Sequence, residues 1–187
     1  MAQWICTTPQ RAVYDVLTRK RAHPREWELK VQSEIRSLRP PLGGSRHLLL
    51  GEDAEGIAAV GLYDVVDAAR GDYYVCAVAV AARRRSRREG GSRLGSETLE
   101  LILDTITEDA RSRGVIDVVV SARIDPRNRA SKRLCSAAGF QCLDTGPWGF
   151  ERWAFGFNVL EPGGGSTPCD EETPASDVED ESTQRRL

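Results

Sequence analysis

The residues best suited to chemistry fall in two stretches of this 187-residue chain. The first is RRRSRREGGSRLG, Arg83 to Gly95. It sets six arginines (Arg83, Arg84, Arg85, Arg87, Arg88 and Arg93) around Gly90 and Gly91, just ahead of a segment with helical apolar spacing. A helix start offers unpaired N–H groups and a partial positive charge, and glycines let the backbone approach an anion. The combination suits a phosphate-bearing ligand. Arg85, Arg87, Arg88, Gly90, Gly91, Ser92 and Gly95 are the candidate contacts. A solvated basic loop explains the same composition, because the chain holds three lysines (Lys20, Lys30 and Lys132) against 23 arginines. The second stretch is NRASKRLCSAAGF, Asn128 to Phe140. An amphipathic helix with a glycine cap accounts for Leu134 and Gly139. It does not account for Asn128 and Phe140 at their distances from them.

Other chemistries find little support. The five cysteines (Cys6, Cys76, Cys135, Cys142 and Cys169) are odd in number, widely spaced and without a CxxC pair, so no disulfide framework is expected. His23 and His47 have no Cys or His partner at zinc-ligand spacing, and no metal site is expected.

The elements that must position these stretches can be read from periodicity. Ala12, Val13, Val16 and Leu17 form a helical stripe, and a second helix is expected from about Arg25 to Leu38. His47–Gly51 and Ile57–Val65 flank a turn and read as a hairpin. Tyr73–Val80 is a third strand, apolar enough to suggest burial on both faces. Leu99, Ile102, Leu103, Ile106 and Ala110 mark a long helix starting near Ser96, with Gly114 as its C′ residue. Val115–Ser121 is a strong strand. Asp125-Pro126 reads as an N-cap and first helical residue for a short helix, Arg127–Ala138. Phe140–Leu143 and Phe150–Leu160 close the sheet. The strand-helix-strand-helix order implies an α/β fold with a mixed sheet and right-handed crossovers.

With this frame, the second stretch resembles the GNAT family of acyl-CoA-dependent N-acetyltransferases. Its short helix after a strand reads Asn-x-x-Ala/Ser-x-x-Leu-Tyr-x-x-x-Gly-Phe, and Asn128, Ser131, Leu134, Gly139 and Phe140 stand at matching offsets. Upstream the match is looser. The family strand ends Val-x-Pro and is followed by Arg/Gln-x-x-Gly-x-Gly/Ala. Val78-Ala79-Val80 fits, with Ala82 where Pro is usual, and Arg87 to Ser92 has the arginine and first glycine but ends on serine. Taking Gly95 as the last glycine instead puts Arg93 at the first.

The resemblance implies a mixed, mostly antiparallel sheet with a central splayed parallel strand pair and helices on both faces. It implies that acetyl-CoA lies where Tyr73–Val80 and Val115–Ser121 part. The backbone of Val78 and Val80 would hold the pantetheine arm, amides from about Arg85 to Gly95 the pyrophosphate, and Asn128 and Ser131 the far side. The reaction would move an acetyl group to an amine of a small molecule or protein. Cys135 stands where many members have a Tyr that protonates the leaving thiolate; it is either that acid or a small packed residue. The strand lacks the frequent Glu base, and Cys76 lies near its place. Asp72, Tyr73, Tyr74, Glu52 and Asp64 are the other candidates, with Tyr74 and Asp72 entering the catalytic set. Trp4, Trp27, Trp148 and Trp153 are candidates for shaping the acceptor pocket.

Charge sorts the chain into two parts. Residues 161–187 take eight of the 28 acidic residues and two of the 26 basic ones, so residues 1–160 carry a net charge of about +4. Residues 1–160 are expected to form the domain, and the Gly/Ser/Pro-containing tail to be disordered. No apolar run approaches a membrane span and no secretory start is evident, so a cytoplasmic monomer or homodimer is expected. Two alternatives remain: a GNAT-fold protein that binds acyl-CoA without turnover, and a nucleic-acid binder using the Arg83–Arg93 cluster. No aromatic-and-basic interleaving accompanies that cluster, which argues against nucleic acid.

Overall fold

Alternating burial along the strands builds the architecture. The computed structural model describes residues 25–39, 41–81, 84, 93–146 and 149–160. The expected first helix, the tail, and Arg83, Arg85, Arg87, Arg88, Gly90, Gly91 and Ser92 lie outside them. The elements are α1 (Glu26–Ser37), β1 (Arg46–Asp53), β2 (Gly56–Asp67), β3 (Asp72–Val80), α2 (Arg93–Ser112), β4 (Asp117–Ile124), α3 (Arg129–Ala137), β5 (Gln141–Thr145) and β6 (Glu151–Asn158). They form one six-stranded sheet in the order β1-β2-β3-β4-β6-β5. Among the described strands, only β3 and β4 run parallel; the other pairs are antiparallel.

Each face of the sheet has its own core. Tyr63, Tyr73, Val75, Val118, Val120, Ala122 and Ile124 pack with Leu99, Ile102, Ile106 and Ala110 of α2 and with Cys135 of α3. Leu48, Leu50, Val60, Leu62 and Ala77 pack with Ile35 and Leu38 at the end of α1. Strand side chains alternate between faces, so α1 covers one face and α2 and α3 the other. Burial of β3 on both faces is only partly met. Tyr73, Val75 and Ala77 are buried, while Tyr74, Cys76 and Val78 are half-buried.

Glycine sets two close approaches. A Cβ on Gly61 would lie 2.9 Å from Ile102 Cδ1, so its absence lets α2 sit close on β2. Gly139 has φ +88° and closes α3: the Phe140 N–H donates to the Cys135 carbonyl at 3.0 Å and the Gly139 N–H to that of Ser136 at 3.1 Å. Phe140, delivered by this turn, is buried against Phe155. The Gly-Phe pair of the sequence motif therefore has a structural task.

Several boundaries differ from expectation: β4 spans Asp117–Ile124, not Val115–Ser121, β5 runs on to Thr145, β6 is shorter at both ends, and two helices start elsewhere. The long helix begins at Arg93, not Ser96, extended by an Arg93–Glu97 ion pair at 3.0 Å. The short helix begins at Arg129, capped by Asn128. Asp125 instead closes a turn ahead of it, its carboxylate accepting from the Arg127 N–H at 2.9 Å and its carbonyl from the Asn128 N–H at 2.7 Å. Asn128 outcompetes Asp125 because its side chain reaches the N–H of Ser131, the third residue of the helix, at 3.2 Å.

Candidate active site: a wedge between two parallel strands

The sheet opens at one place. β3 and β4 are in register from Asp72–Val119 to Val75–Ala122, and the pairing then stops although both strands continue. The cause lies in β3. Tyr63 pairs with Val75 and Leu62 with Ala77, so Cys76 is an extra residue, a β-bulge. The bulge turns the rest of β3 away from β4 and leaves a wedge.

Backbone direction in the wedge follows from parity. The Ala81 N–H donates to the Ala58 carbonyl of β2 at 2.8 Å. Counting back by twos, Ala79 and Ala77 aim their peptide groups at β2, and Val78 aims its own into the wedge. Val80 shares the direction of Val78. The N-terminus of α2 lies at the open end, where Gly95 is buried 3.7 Å from Val80 Cγ2, measured from an ideal Cβ. The wedge thus holds a line of peptide groups ending at a helix start, a fit for an extended amide arm with a phosphate at its end. The structure brings together Val78, Val80 and Gly95 on one wall and the start of α3 beyond β4.

Asn128 and Ser131 are engaged with each other: besides the cap, Asn128 Nδ2 donates to Ser131 Oγ at 2.8 Å. Loss of this cap in Asn128→Ala is expected to cost about 1 kcal/mol of stability, measured by denaturant titration. Of the arginine cluster, Arg84 donates to Asp53 at 2.5 Å and Arg93 pairs with Glu97.

The proposed catalytic side chains divide. Tyr74 follows the parity of Ser121 on the α1 face, at the last step before the bulge. Burial, followed by the charge of Cys76, pushes its phenol above the ordinary tyrosine range. Asp72 is the first residue of β3, at the far end from the wedge. Cys135 lies in the core on the opposite face, 7 % exposed, and burial pushes its thiol up to about 11. Cys76, half-buried with its thiol donating to the Tyr74 carbonyl at 3.7 Å, is pushed up to about 12, mainly by burial and then by the charge of Asp64. Asp64 itself accepts two hydrogen bonds from Arg46, at 2.7 and 2.6 Å, which hold its carboxyl below the usual carboxylate range.

Glu34 of α1 escaped the sequence reading. It is half-buried on the helix that covers this face of the sheet, and its charge is among the smaller influences on Tyr74, Cys76 and Arg46. Among the described residues its carboxylate makes no ion pair. Nothing in its local sequence marks it; it directly precedes Ile35, which is buried with Leu38 on this face of the sheet. Of the tryptophans, Trp27 lies between Arg25 and Arg127 at the start of α1. Trp153 packs on the other face and donates to Glu151 at 3.0 Å. Trp4 and Trp148 lie outside the described residues.

Among solved structures, this chain is similar to a protein assigned to the GNAT acetyltransferase family from Desulfovibrio desulfuricans. The identity is 17 %, with 85 % of this chain and 99 % of that one covered, at a TM-score of 0.59. It is similar to an acetyltransferase from Thermus thermophilus at 15 % identity, 83 % and 96 % coverage and a TM-score of 0.55. It is also similar to the ribosomal-protein-S18-alanine N-acetyltransferase of Escherichia coli at 20 % identity, 87 % and 96 % coverage and a TM-score of 0.51. No family model and no curated protein matches the sequence. The chain has the GNAT-family fold.

Proposed function

We propose that this protein is an acetyl-CoA-dependent N-acyltransferase whose domain occupies residues 1–160. The observation that carries the reading is the wedge: parallel pairing that ends at Val75–Ala122, with the Val78 peptide group turned into the gap and α2 starting at its end. The pantetheine amides would pair with the β3 edge at Val78 and Val80, and the pyrophosphate would face the α2 start and the loop from Arg85 to Gly95. Asn128 and Ser131 would border the far side. Bound acetyl-CoA supplies an activated thioester carbonyl. The acceptor amine attacks that carbonyl, the new C–N bond forms as the C–S bond breaks, and the thiolate takes a proton.

The chain's own residues supply the proton traffic. Tyr74 is the proton source: its phenol, like any tyrosine's, is protonated at neutral pH, and burial extends that range upward. Glu34, a carboxylate on the facing helix without an ion pair among the described residues, accepts the proton of the incoming ammonium, directly or through water. Cys135 is the alternative acid named by the sequence, but it lies on the opposite face of the sheet in an apolar cluster. Asp72 is too remote for either task.

Acetyl-CoA titration by calorimetry, followed by CoA release against a panel of amines, tests the reading. Tyr74→Phe is expected to lower kcat by roughly 10²-fold, in the range for loss of a general acid, with acetyl-CoA affinity unchanged. The wild-type alkaline limb of kcat should lie above the ordinary tyrosine value near 10, because the phenol must lose its proton to stop donating it. Cys135→Ser should leave the limb in place. A wild-type rate in Tyr74→Phe together with a depressed rate in Cys135→Ser would reverse the assignment. Binding without turnover would favour an acyl-CoA-binding protein that has lost catalysis.

A further inference from the structure

Helix α1 bridges the mouth of the wedge. At its start, Glu26 accepts from Arg127 of the β4–α3 turn at 2.6 Å, and Trp27 lies under the same guanidinium. At its end, Ile35 and Leu38 are buried on β1, β2 and β3. Its middle, Lys30 to Glu34, therefore passes over the gap between β3 and β4. Below it stand Tyr74 on β3 and Arg123 on β4, two residues beyond Ser121 on the same face.

The charges around this mouth are unequally satisfied. Arg46 is held by Asp64, and Arg127 by Asp125 and Glu26. Among the described residues, Glu34, Lys30 and Arg123 have no ion pair. Lys30 and Glu34 are four apart on one helix, a spacing that permits pairing. Lys30 Nζ instead sits 4.4 Å over the Phe150 ring, and Glu34 is left without an ion pair among the described residues. Arg123 stands on the same sheet face as Tyr74, one strand over, and Glu34 lies on the helix that covers that face, so this stretch of the mouth carries a guanidinium from the sheet and a carboxylate from the helix.

Within the acyltransfer reading, on which this rests, we propose that the acceptor is a small amino acid, bound as a zwitterion with its ammonium at Glu34 and its carboxylate at Arg123 and Lys30. Two cations against one anion, none of them in an ion pair among the described residues, repel a polycationic amine and leave a carboxylate to be matched. A guanidinium suits a carboxylate by its paired donors, and Lys30 adds a second charge to the same side.

The test uses the full chain. Calorimetry with acetyl-CoA comes first. CoA release is then measured with the common amino acids and with the primary amide of each, which keeps the amine and removes the carboxylate. At least one amino acid is expected to exceed its amide in kcat/KM by about tenfold or more, and Arg123→Gln to raise KM for that amino acid by about tenfold. The variant should keep kcat, acetyl-CoA affinity and melting temperature, since Arg123 is exposed and makes no ion pair among the described residues. Equal rates on acid and amide, no amino acid turned over by a chain that binds acetyl-CoA, or an unchanged KM in Arg123→Gln would each overturn the proposal and leave the CoA reading standing. Failure to bind acetyl-CoA would remove that reading, and this inference with it.

Discussion

Gly71→Ala is expected to destabilise the domain by about 3 kcal/mol, lowering the melting temperature by roughly 10 °C. Gly71 sits in the turn that leads into β3, with φ +71°. Its carbonyl accepts from the Val119 N–H at 2.9 Å, the first tie between the parallel strands. A Cβ there would collide with the Asp117 carbonyl oxygen and lie 2.8 Å from Val115 Cγ1. The first of these is backbone at the start of β4 and cannot step aside like a flexible side chain. Relief requires the turn or β4 to move, and either shift pulls on the parallel register that ends at the wedge. Gly114→Ala is the control. It has φ +72° and nothing within 4 Å, so it carries the left-handed backbone cost alone, about 1 kcal/mol. Thermal melts that coincide for the two variants would refute the steric argument.

The elements that could be read in advance are those whose signal is local. Leu99, Ile102, Ile106 and Ala110 recur at helical spacing and are all buried on one side of α2. Gly114 and Gly139 end their helices because both must take positive φ, and both do. The start of α3 was misplaced because Asp125-Pro126 and Asn128 offer competing caps three residues apart. Only hydrogen-bond geometry decides between them: Asn128 reaches Ser131, while Asp125 spends its carboxylate on Arg127.

The site was legible where it is made of backbone and opaque where it is made of side chains brought together by packing. The Asn128–Phe140 spacing identified the short helix that follows the wedge, and the apolar run Tyr73–Val80 identified one wall. Cys135 drew attention by its place in the motif, yet its side chain is in the core. Glu34 has no motif and becomes visible only when α1 is laid across β3. The bulge at Cys76 is equally silent in sequence. Neither glycine nor proline marks it, and it exists because Leu62 and Tyr63 pair with residues two apart.

That bulge carries the largest functional prediction. Deleting Cys76 should weaken acetyl-CoA binding by about a hundredfold or more, near 3 kcal/mol, with little loss of stability. The deletion removes only the extra residue. Val75 still meets Tyr63 and Ala77 still meets Leu62, so the β2–β3 ladder becomes continuous. Parity downstream survives, and Ala77 and Ala79 keep facing β2. What changes is direction: without the bulge β3 runs straight, and Ala77 and Val78 come into step with Arg123 and Ile124 of β4. The parallel ladder can then extend past Val75–Ala122 and use the peptide groups that the pantetheine arm needs. Cys76→Ala keeps the backbone count and should bind acetyl-CoA as the wild type does, which separates the thiol from the bulge. Calorimetry on both variants, with melting temperatures alongside, decides the matter. Equal acetyl-CoA affinity in the deletion and the wild type would mean that the bulge does not hold the wedge open.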